Sequence, residues 1–99
     1  MKITFEFHGT LRDAAGAKTV GREFDPEATV GDAVAALADE YRDLGPLLFR
    51  SNGRIRPNVT VAVDGETVPD GDREGRVLTD GETVMLAPGI AGGREVPAR

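Results

Sequence analysis

The clearest element in the sequence is one amphipathic helix, predicted over residues 29–42. Thr29 and Asp32 are close to a capping box, in which each side chain accepts a hydrogen bond from the backbone amide of the other residue. Gly45-Pro46 is expected to end the helix, with Gly45 just beyond its C-cap. The apolar residues at helical spacing form a single stripe: Val30, Val34, Leu37, Ala38 and Tyr41. One helix with one such stripe can cover only one face of a sheet.

Alternating apolar and polar residues predict strands on both sides of this helix. In residues 1–8, Ile3, Phe5 and Phe7 fall on one face, and residues 58–63 place three valines on one face. Asp64-Gly65 is a strong signal for a hairpin turn. Further strands are predicted at residues 18–24, 66–68 and 83–87, and single helical turns at residues 11–16 and 47–49.

The predicted order of elements is therefore β-β-α-β-β-β, with one main helix. A mixed sheet of four or five strands packed on one helix makes a two-layer α+β domain. The helix stripe is buried most simply when the first and last strands lie side by side at the centre of the sheet. This arrangement is the β-grasp, or ubiquitin-like, architecture. We predict this domain over residues 1–88 and a flexible C-terminal tail over residues 89–99.

Composition and residue types exclude several classes of function. The formal net charge is -5 and there is no cysteine, which argues against nucleic acid or a membrane as partner and against thiolate chemistry. His8 is the only histidine and is predicted on the outward face of the first strand, while Ser51, the only serine, is in a loop. Asp70-Gly71-Asp72 lacks the closing Glu of a calcium loop. No catalytic or metal-binding residue is predicted, and the lack of a signal or transmembrane segment favours the cytoplasm.

The C-terminal segment is the candidate for chemistry. After the last predicted strand the chain continues as Pro88-Gly89-Ile90-Ala91-Gly92-Gly93. Two adjacent glycines make a thin segment without side chains, which can enter a deep pocket of a partner protein. A carboxylate at Gly93 could be activated there by ATP as an acyl-adenylate, since no Cβ would hinder attack on its carbonyl carbon. The protein would then be the acyl substrate and not the catalyst.

Four segments occur in order along the chain: Thr29-Val30-Gly31-Asp32-Ala33-Val34-Ala35-Ala36-Leu37, Val63-Asp64-Gly65, Asp80-Gly81-Glu82-Thr83-Val84 and the Gly-Gly segment 88–93. Together they resemble the MoaD/ThiS sulfur carriers and, equally, the small archaeal modifier proteins of the ubiquitin-like superfamily. The resemblance covers residues 1–93. It implies a β-grasp fold, activation by an E1-like adenylating enzyme of the MoeB type, and a thiocarboxylate at Gly93. It also implies that this enzyme uses ATP and that the chain itself binds no cofactor.

The resemblance implies two functions for Gly93, and a third interpretation stays open. In a MoaD-type sulfur carrier, the tail enters the large subunit of molybdopterin synthase and delivers sulfur to the pterin precursor. In an archaeal modifier, the same terminus is joined to lysines of target proteins. Without carboxylate chemistry, the chain would be a non-conjugated β-grasp interaction domain. Because residues 94–99 follow Gly93, both the sulfur-carrier and the modifier function imply a processing protease that removes them.

Overall fold

The computed structural model describes residues 1–89, with the side chain of Asp70 excepted. Within these residues, five strands form one sheet: β1 (Lys2–Phe7), β2 (Thr19–Glu23), β3 (Val59–Val63), β4 (Glu66–Thr67) and β5 (Thr83–Pro88). The α-helices of the described chain are α1 (Gly9–Ala15), α2 (Val30–Glu40) and α3 (Gly45–Leu48), and a 3₁₀ turn covers Asp70–Asp72. The strand order is β2-β1-β5-β3-β4. Among residues 1–89, no helix could span a lipid bilayer.

The first and last strands lie side by side at the centre of the sheet, as predicted. β5 is parallel to β1, with Phe5 opposite Val84 and Phe7 opposite Leu86, and it is antiparallel to β3 on its other side. β2 joins β1, and β4 joins β3, as antiparallel edge strands. This mixed sheet shares one core with α2. The predicted α+β, β-grasp fold is therefore confirmed.

The core is built from the apolar strand faces and the helix stripe together. Its largest fully buried side chains include Ile3, Phe5, Phe7, Leu11, Leu37, Leu44, Leu48, Ile55, Leu78 and Leu86. The helix stripe differs from the prediction at three positions. Ala33 is fully buried although it is not one of the predicted stripe residues, whereas Ala38 and Tyr41 are only partly buried.

The predicted end of the main helix is wrong. α2 ends at Glu40, and Tyr41 is its C-cap in an extended conformation, with its N–H bonded to the Leu37 carbonyl at 2.8 Å. Gly45 does not follow that helix in a left-handed conformation; it begins α3, with Pro46 in the first turn. Proline is tolerated in a first turn because the N–H it lacks would have no intrahelical acceptor. The pair expected to stop one helix therefore starts the next.

The start of α2 agrees with the sequence, whereas α1 is longer than expected. Thr29 Oγ1 accepts from the Asp32 N–H, and Asp32 Oδ2 accepts from the Thr29 N–H, both at 3.1 Å. This capping box satisfies backbone donors that have no partner within the helix. α1 begins at Gly9, ahead of the single turn predicted at 11–16, and ends before Gly16, which has a φ of 73°.

A charged cluster ties the end of α2 to the edge strand β2. Arg22 Nε donates to Glu40 Oε1 at 2.8 Å, and Arg22 Nη2 donates to Glu40 Oε2 and, at 2.9 Å, to the Tyr41 hydroxyl. The guanidinium also lies 5.9 Å from the centre of the Tyr41 ring. The hydrogen bond from Arg22 lowers the pKa of Glu40 below its ordinary value. Because both charged side chains are well exposed, solvent screening keeps the stabilisation from this pair small.

Truncation of Leu37 should destabilise the domain strongly, because this side chain is 1% exposed. Leu37→Ala should lower the free energy of unfolding by roughly 2–5 kcal/mol, since it removes buried methyl groups and leaves a cavity. Urea denaturation measures this change. Leu47→Ala is the matched control and should cost much less, because Leu47 is 39% exposed. A loss below about 1 kcal/mol for Leu37→Ala would contradict the packing of α2 described above.

Removal of the Glu40 carboxylate should have an effect that depends on pH. Because the pKa of Glu40 is lowered in the folded state, its stabilisation is present above the ordinary pKa of Glu, about 4.3, and is lost as pH falls through the folded value. Glu40→Gln should therefore lower Tm slightly at neutral pH and leave Tm unchanged in strong acid. Thermal unfolding at both pH values measures this, with Asp39→Asn on the same helix as control. A Tm difference that persists in acid would contradict the pairing.

Candidate functional site

The candidate site is the point at which the chain leaves the sheet after β5. β5 lies between β1 and β3, with Leu86 opposite Phe7 and Pro88 opposite Val59. The tail therefore starts between two neighbouring strands, at the centre of one end of the sheet, and not at the side of the domain. Of the predicted tail residues, Pro88 and Gly89 are described, while residues 90–92 and the predicted activated glycine, Gly93, lie outside the described residues.

Gly89 passes directly against the backbone of Asn58, the residue before β3. A Cβ at Gly89 would overlap the Asn58 carbonyl group and lie 2.8 Å from the Asn58 Cα. Only glycine allows this close approach without a shift of the backbone. The first residue of the tail is thus held against the start of β3.

On the other side, Pro88 packs against Gly9, the first residue of α1. Gly9 has a φ of +56°, in the left-handed region that glycine adopts readily, and a Cβ there would lie 2.9 Å from Pro88 Cγ. The His8 N–H bonds to the Leu86 carbonyl at 3.1 Å, one residue past the end of β1. α1 is therefore held beside the end of β5. We call Gly9, Asn58, Pro88 and Gly89 the tail neck.

A buried arginine holds the segment that contains Asn58. Arg73 is 2% exposed, and its guanidinium donates hydrogen bonds to the Val59 carbonyl and, at 3.2 Å, to the carbonyls of Ile55 and Arg56. These carbonyl oxygens help to compensate the burial of the charge. In the sequence, residue 73 lies between the predicted strands at 66–68 and 83–87, and no local pattern indicates this role. The reason is that the contacts join residues 14 to 18 positions apart.

His8 lies beside the tail neck. β1 ends at Phe7, so His8 is the N-cap of α1 and not a strand residue. Its side chain is 48% exposed, and its Nε2 lies 3.4 Å from Glu6 Oε2. Among residues 1–89, no group of three or more His, Cys, Asp or Glu side chains could hold a metal ion. Within residues 1–89, the candidate site is thus the closely packed point at which the tail leaves the sheet.

The sheet face opposite α2 extends towards this exit. The register places Met85 beside both Glu6 and Ala62 on this face, and Thr60 beside Ala87. Apart from Glu6, these side chains are small or uncharged. Thr60, Met85 and Ala87 are partly exposed on this face, which ends where the tail begins.

Comparison with known proteins relates the chain to a family. The ThiS family matches residues 5–93, so the matched region ends at Gly93. Small archaeal modifier protein 3 of Haloferax volcanii is 34% identical over 93 residues, which are 94% of this chain and the whole of the relative. Small archaeal modifier protein 1 of the same organism is 31% identical over 91 residues, 92% of this chain and again the whole of the relative.

A solved structure agrees with these sequence matches. The crystal structure of SAMP1 from Haloferax volcanii has a TM-score of 0.82 and 28% identity, and the similarity covers 94% of this chain and all of that one. The resemblance predicted from the sequence is therefore confirmed. The prediction that the chain is not itself an enzyme is confirmed as well, since its relatives are small ubiquitin-like modifier or sulfur-carrier proteins. By the match over residues 5–93 and by these relatives, the chain belongs to the ThiS family.

Proposed function

We propose that this chain is a ubiquitin-like carrier whose Gly93 carboxylate is activated by an E1-like adenylating enzyme and then joined to amino groups, such as lysines, of target proteins. The observation that carries this proposal is the position of Gly93. It is the last residue matched by the family, and only residues 89–92 lie between it and the end of β5. The modifier function is supported by the two relatives above 30% identity, which are both small archaeal modifier proteins.

The proposed chemistry takes place on the partner enzyme. A carboxylate oxygen of Gly93 attacks the α-phosphorus of ATP, pyrophosphate leaves, and an acyl-adenylate forms. An amine then attacks the carbonyl carbon, AMP leaves with the bonding electron pair, and loss of a proton completes the amide. Glycine favours both steps because it has no Cβ to hinder approach and its φ is unrestricted. This chain supplies the acyl group, and the partner binds the ATP.

A second candidate function uses the same activated Gly93. When hydrosulfide, in place of the amine, attacks the carbonyl carbon of the acyl-adenylate, AMP leaves with the bonding electron pair, and loss of a proton gives a thiocarboxylate, as in a MoaD-type sulfur carrier for molybdopterin synthesis. The match to the ThiS family favours this candidate, since the sequence resembles the sulfur carriers of that family. The next partner would then be the large subunit of molybdopterin synthase. The two candidates share an activating enzyme of the MoeB type and differ in the nucleophile that follows.

The intact mass of the protein isolated from its native cells distinguishes these functions. A chain that ends at Gly93 with one carboxylate oxygen replaced by sulfur would indicate a sulfur carrier. Covalent adducts of Gly93 with lysines of other proteins would indicate a modifier. A chain that keeps the residues after Gly93 and carries no adduct would contradict both candidates and favour the non-conjugated interaction domain.

The residues that follow Gly93 have to be removed under either candidate. An adenylating site must place the terminal carboxylate against the α-phosphate of ATP. Six further residues move that carboxylate by as much as about 20 Å along an extended chain. Arg94 and Glu95 would also bring charged side chains into a channel suited to glycine. The proposal therefore includes a processing protease that cuts after Gly93.

A chain that ends at Gly93 should support pyrophosphate exchange by the cognate E1-like enzyme, and the chain that carries residues 94–99 should be a poor substrate. In the truncated chain, Gly92→Val should also lower the exchange rate, because a β-branched side chain stiffens and widens the tail. The three chains are compared at equal concentration. Equal rates for the full-length and truncated chains would show that no trimming is needed. A lack of exchange with every activating enzyme of the source organism would refute the activation of Gly93.

Substitution of the exposed histidine should leave activation largely unchanged. His8→Ala in the chain that ends at Gly93 should keep the exchange rate within a few-fold, because the proposed catalytic groups belong to the partner. The backbone N–H of residue 8, which bonds to the Leu86 carbonyl, is retained in this variant. Exchange kinetics measure the effect, with Tm as the control for folding. A loss of two orders of magnitude at unchanged Tm would show that this chain supplies a catalytic group.

A further inference from the structure

The tail neck is packed more closely than the end of a strand requires. Gly89 meets the backbone of Asn58 on the β3 side, and Gly9 meets the ring of Pro88 on the α1 side. Neither contact leaves room for a Cβ on the glycine. Gly16 has a left-handed backbone like Gly9, but a Cβ there would meet nothing within 4 Å. Gly9 and Gly89 are therefore required by their neighbours, and not by backbone conformation alone.

The wall of the tail neck on the β3 side is fixed by the buried guanidinium of Arg73. Its hydrogen bonds to the carbonyls of Ile55, Arg56 and Val59 hold the chain on both sides of Asn58. Movement of Asn58 away from Gly89 would disturb these bonds, and a buried charge that loses its partners is strongly unfavourable. The backbone at Asn58 therefore cannot move away easily to make room for a larger residue at position 89.

The wall on the α1 side is fixed by backbone hydrogen bonds. The His8 N–H is bonded to the Leu86 carbonyl at 3.1 Å, and the His8 carbonyl accepts from the N–H groups of Leu11 and Arg12 at 3.1 and 3.3 Å. Leu11 is 1% exposed and anchors α1 in the core. His8, the residue before Gly9, is thus bonded both to β5 and to α1. Pro88 is confined between Gly9 and β3.

We propose that the tail neck sets the direction in which the tail leaves the domain, and that Gly9 and Gly89 are positioning residues for the activation of Gly93. This inference rests on the proposed function. Residues 90–93 alone span the distance from the tail neck to the activated carboxylate, and four extended residues reach at most about 14 Å. The channel of the activating enzyme must therefore open against this end of the sheet, beside α1 and the start of β3.

A fixed exit direction affects delivery of the tail more than docking of the domain. Confinement of Pro88 and Gly89 reduces the conformational freedom that the tail loses when it enters the channel. When the exit direction is altered, the sheet face can still bind the enzyme, but Gly93 reaches the α-phosphate of ATP in fewer of the complexes. Substitutions that disturb the packing of the tail neck should therefore lower kcat for pyrophosphate exchange and leave KM nearly unchanged.

The test measures pyrophosphate exchange with chains that end at Gly93. Gly89→Ala and Gly9→Ala should each lower kcat by about tenfold or more, since small displacements of a reacting group have effects of this size. Gly16→Ala is the control for Gly9→Ala, because it introduces left-handed strain without a clash. Gly45→Ala is the control for Gly89→Ala, because a Cβ there meets nothing within 4 Å. Both controls should keep the unsubstituted kcat.

Two results of the exchange assay would overturn the proposal. An unchanged kcat in both Gly89→Ala and Gly9→Ala would show that the tail neck does not affect delivery. A kcat that follows Tm across all four variants would show that the losses come from destabilised folding and not from a misdirected tail. Thermal unfolding of each chain supplies this comparison, and Gly16→Ala is decisive because its strain resembles that of Gly9→Ala.

A measurement without the enzyme tests the packing of the tail neck independently of the proposed function. The NMR order parameter of the Gly89 amide should be about 0.85 in the unsubstituted chain, as in rigid backbone, and below about 0.6 in Gly9→Ala. A flexible Gly89 in the unsubstituted chain would contradict the proposal that the tail neck fixes the direction of the tail, even if Gly93 is activated. A rigid Gly89 in a chain that no activating enzyme accepts would support the tail neck and refute the proposed function.

Discussion

The structure depends on the parallel pairing of β1 with β5. Parallel neighbours cannot be joined by a tight turn, so the chain between them has to pass from one side of the β1/β5 pair to the other. α2 lies in this crossing, between β2 and β3, and covers the face on which Phe5, Phe7, Val84 and Leu86 are buried. The same pairing places the last strand between two neighbours. The chain therefore leaves the fold at the centre of the sheet, where both sides of its exit are already occupied.

Most of the fold could be predicted from the sequence, because its elements follow local patterns. The alternation in β1 and the stripe in α2 both reflect burial on one side, and the capping box at Thr29 joins residues only three positions apart. Gly45-Pro46 shows where a local pattern is ambiguous, since this pair can end one helix or begin the next. In the structure the pair begins α3, and Leu44 and Leu48, on either side of it, are both buried in the core.

The geometry of the candidate site could not be predicted, because its contacts join distant parts of the chain. The tail itself can be recognised in the sequence by its Gly-Gly segment. Position 89, however, requires glycine only because the folded chain places it against the backbone of Asn58. In the same way, Gly9 at the start of the chain is required by Pro88 near its end. Arg73 is one of several arginines in the sequence, and only its burial against the 55–59 segment separates it from the others.

The narrow exit of the tail limits the directions from which another protein can reach it. If Gly93 is activated as proposed, the reaction that follows is decided by the nucleophile that a partner presents, since the family acts through partners and not as an enzyme. Every partner that uses Gly93 must nevertheless approach the same end of the sheet, because the tail beyond Gly89 is short. Under this proposal, two partners that both use Gly93 compete for that end of the sheet. The activating enzyme must therefore release the domain, or pass the tail on internally, before an acceptor protein or a synthase subunit can take the acyl group.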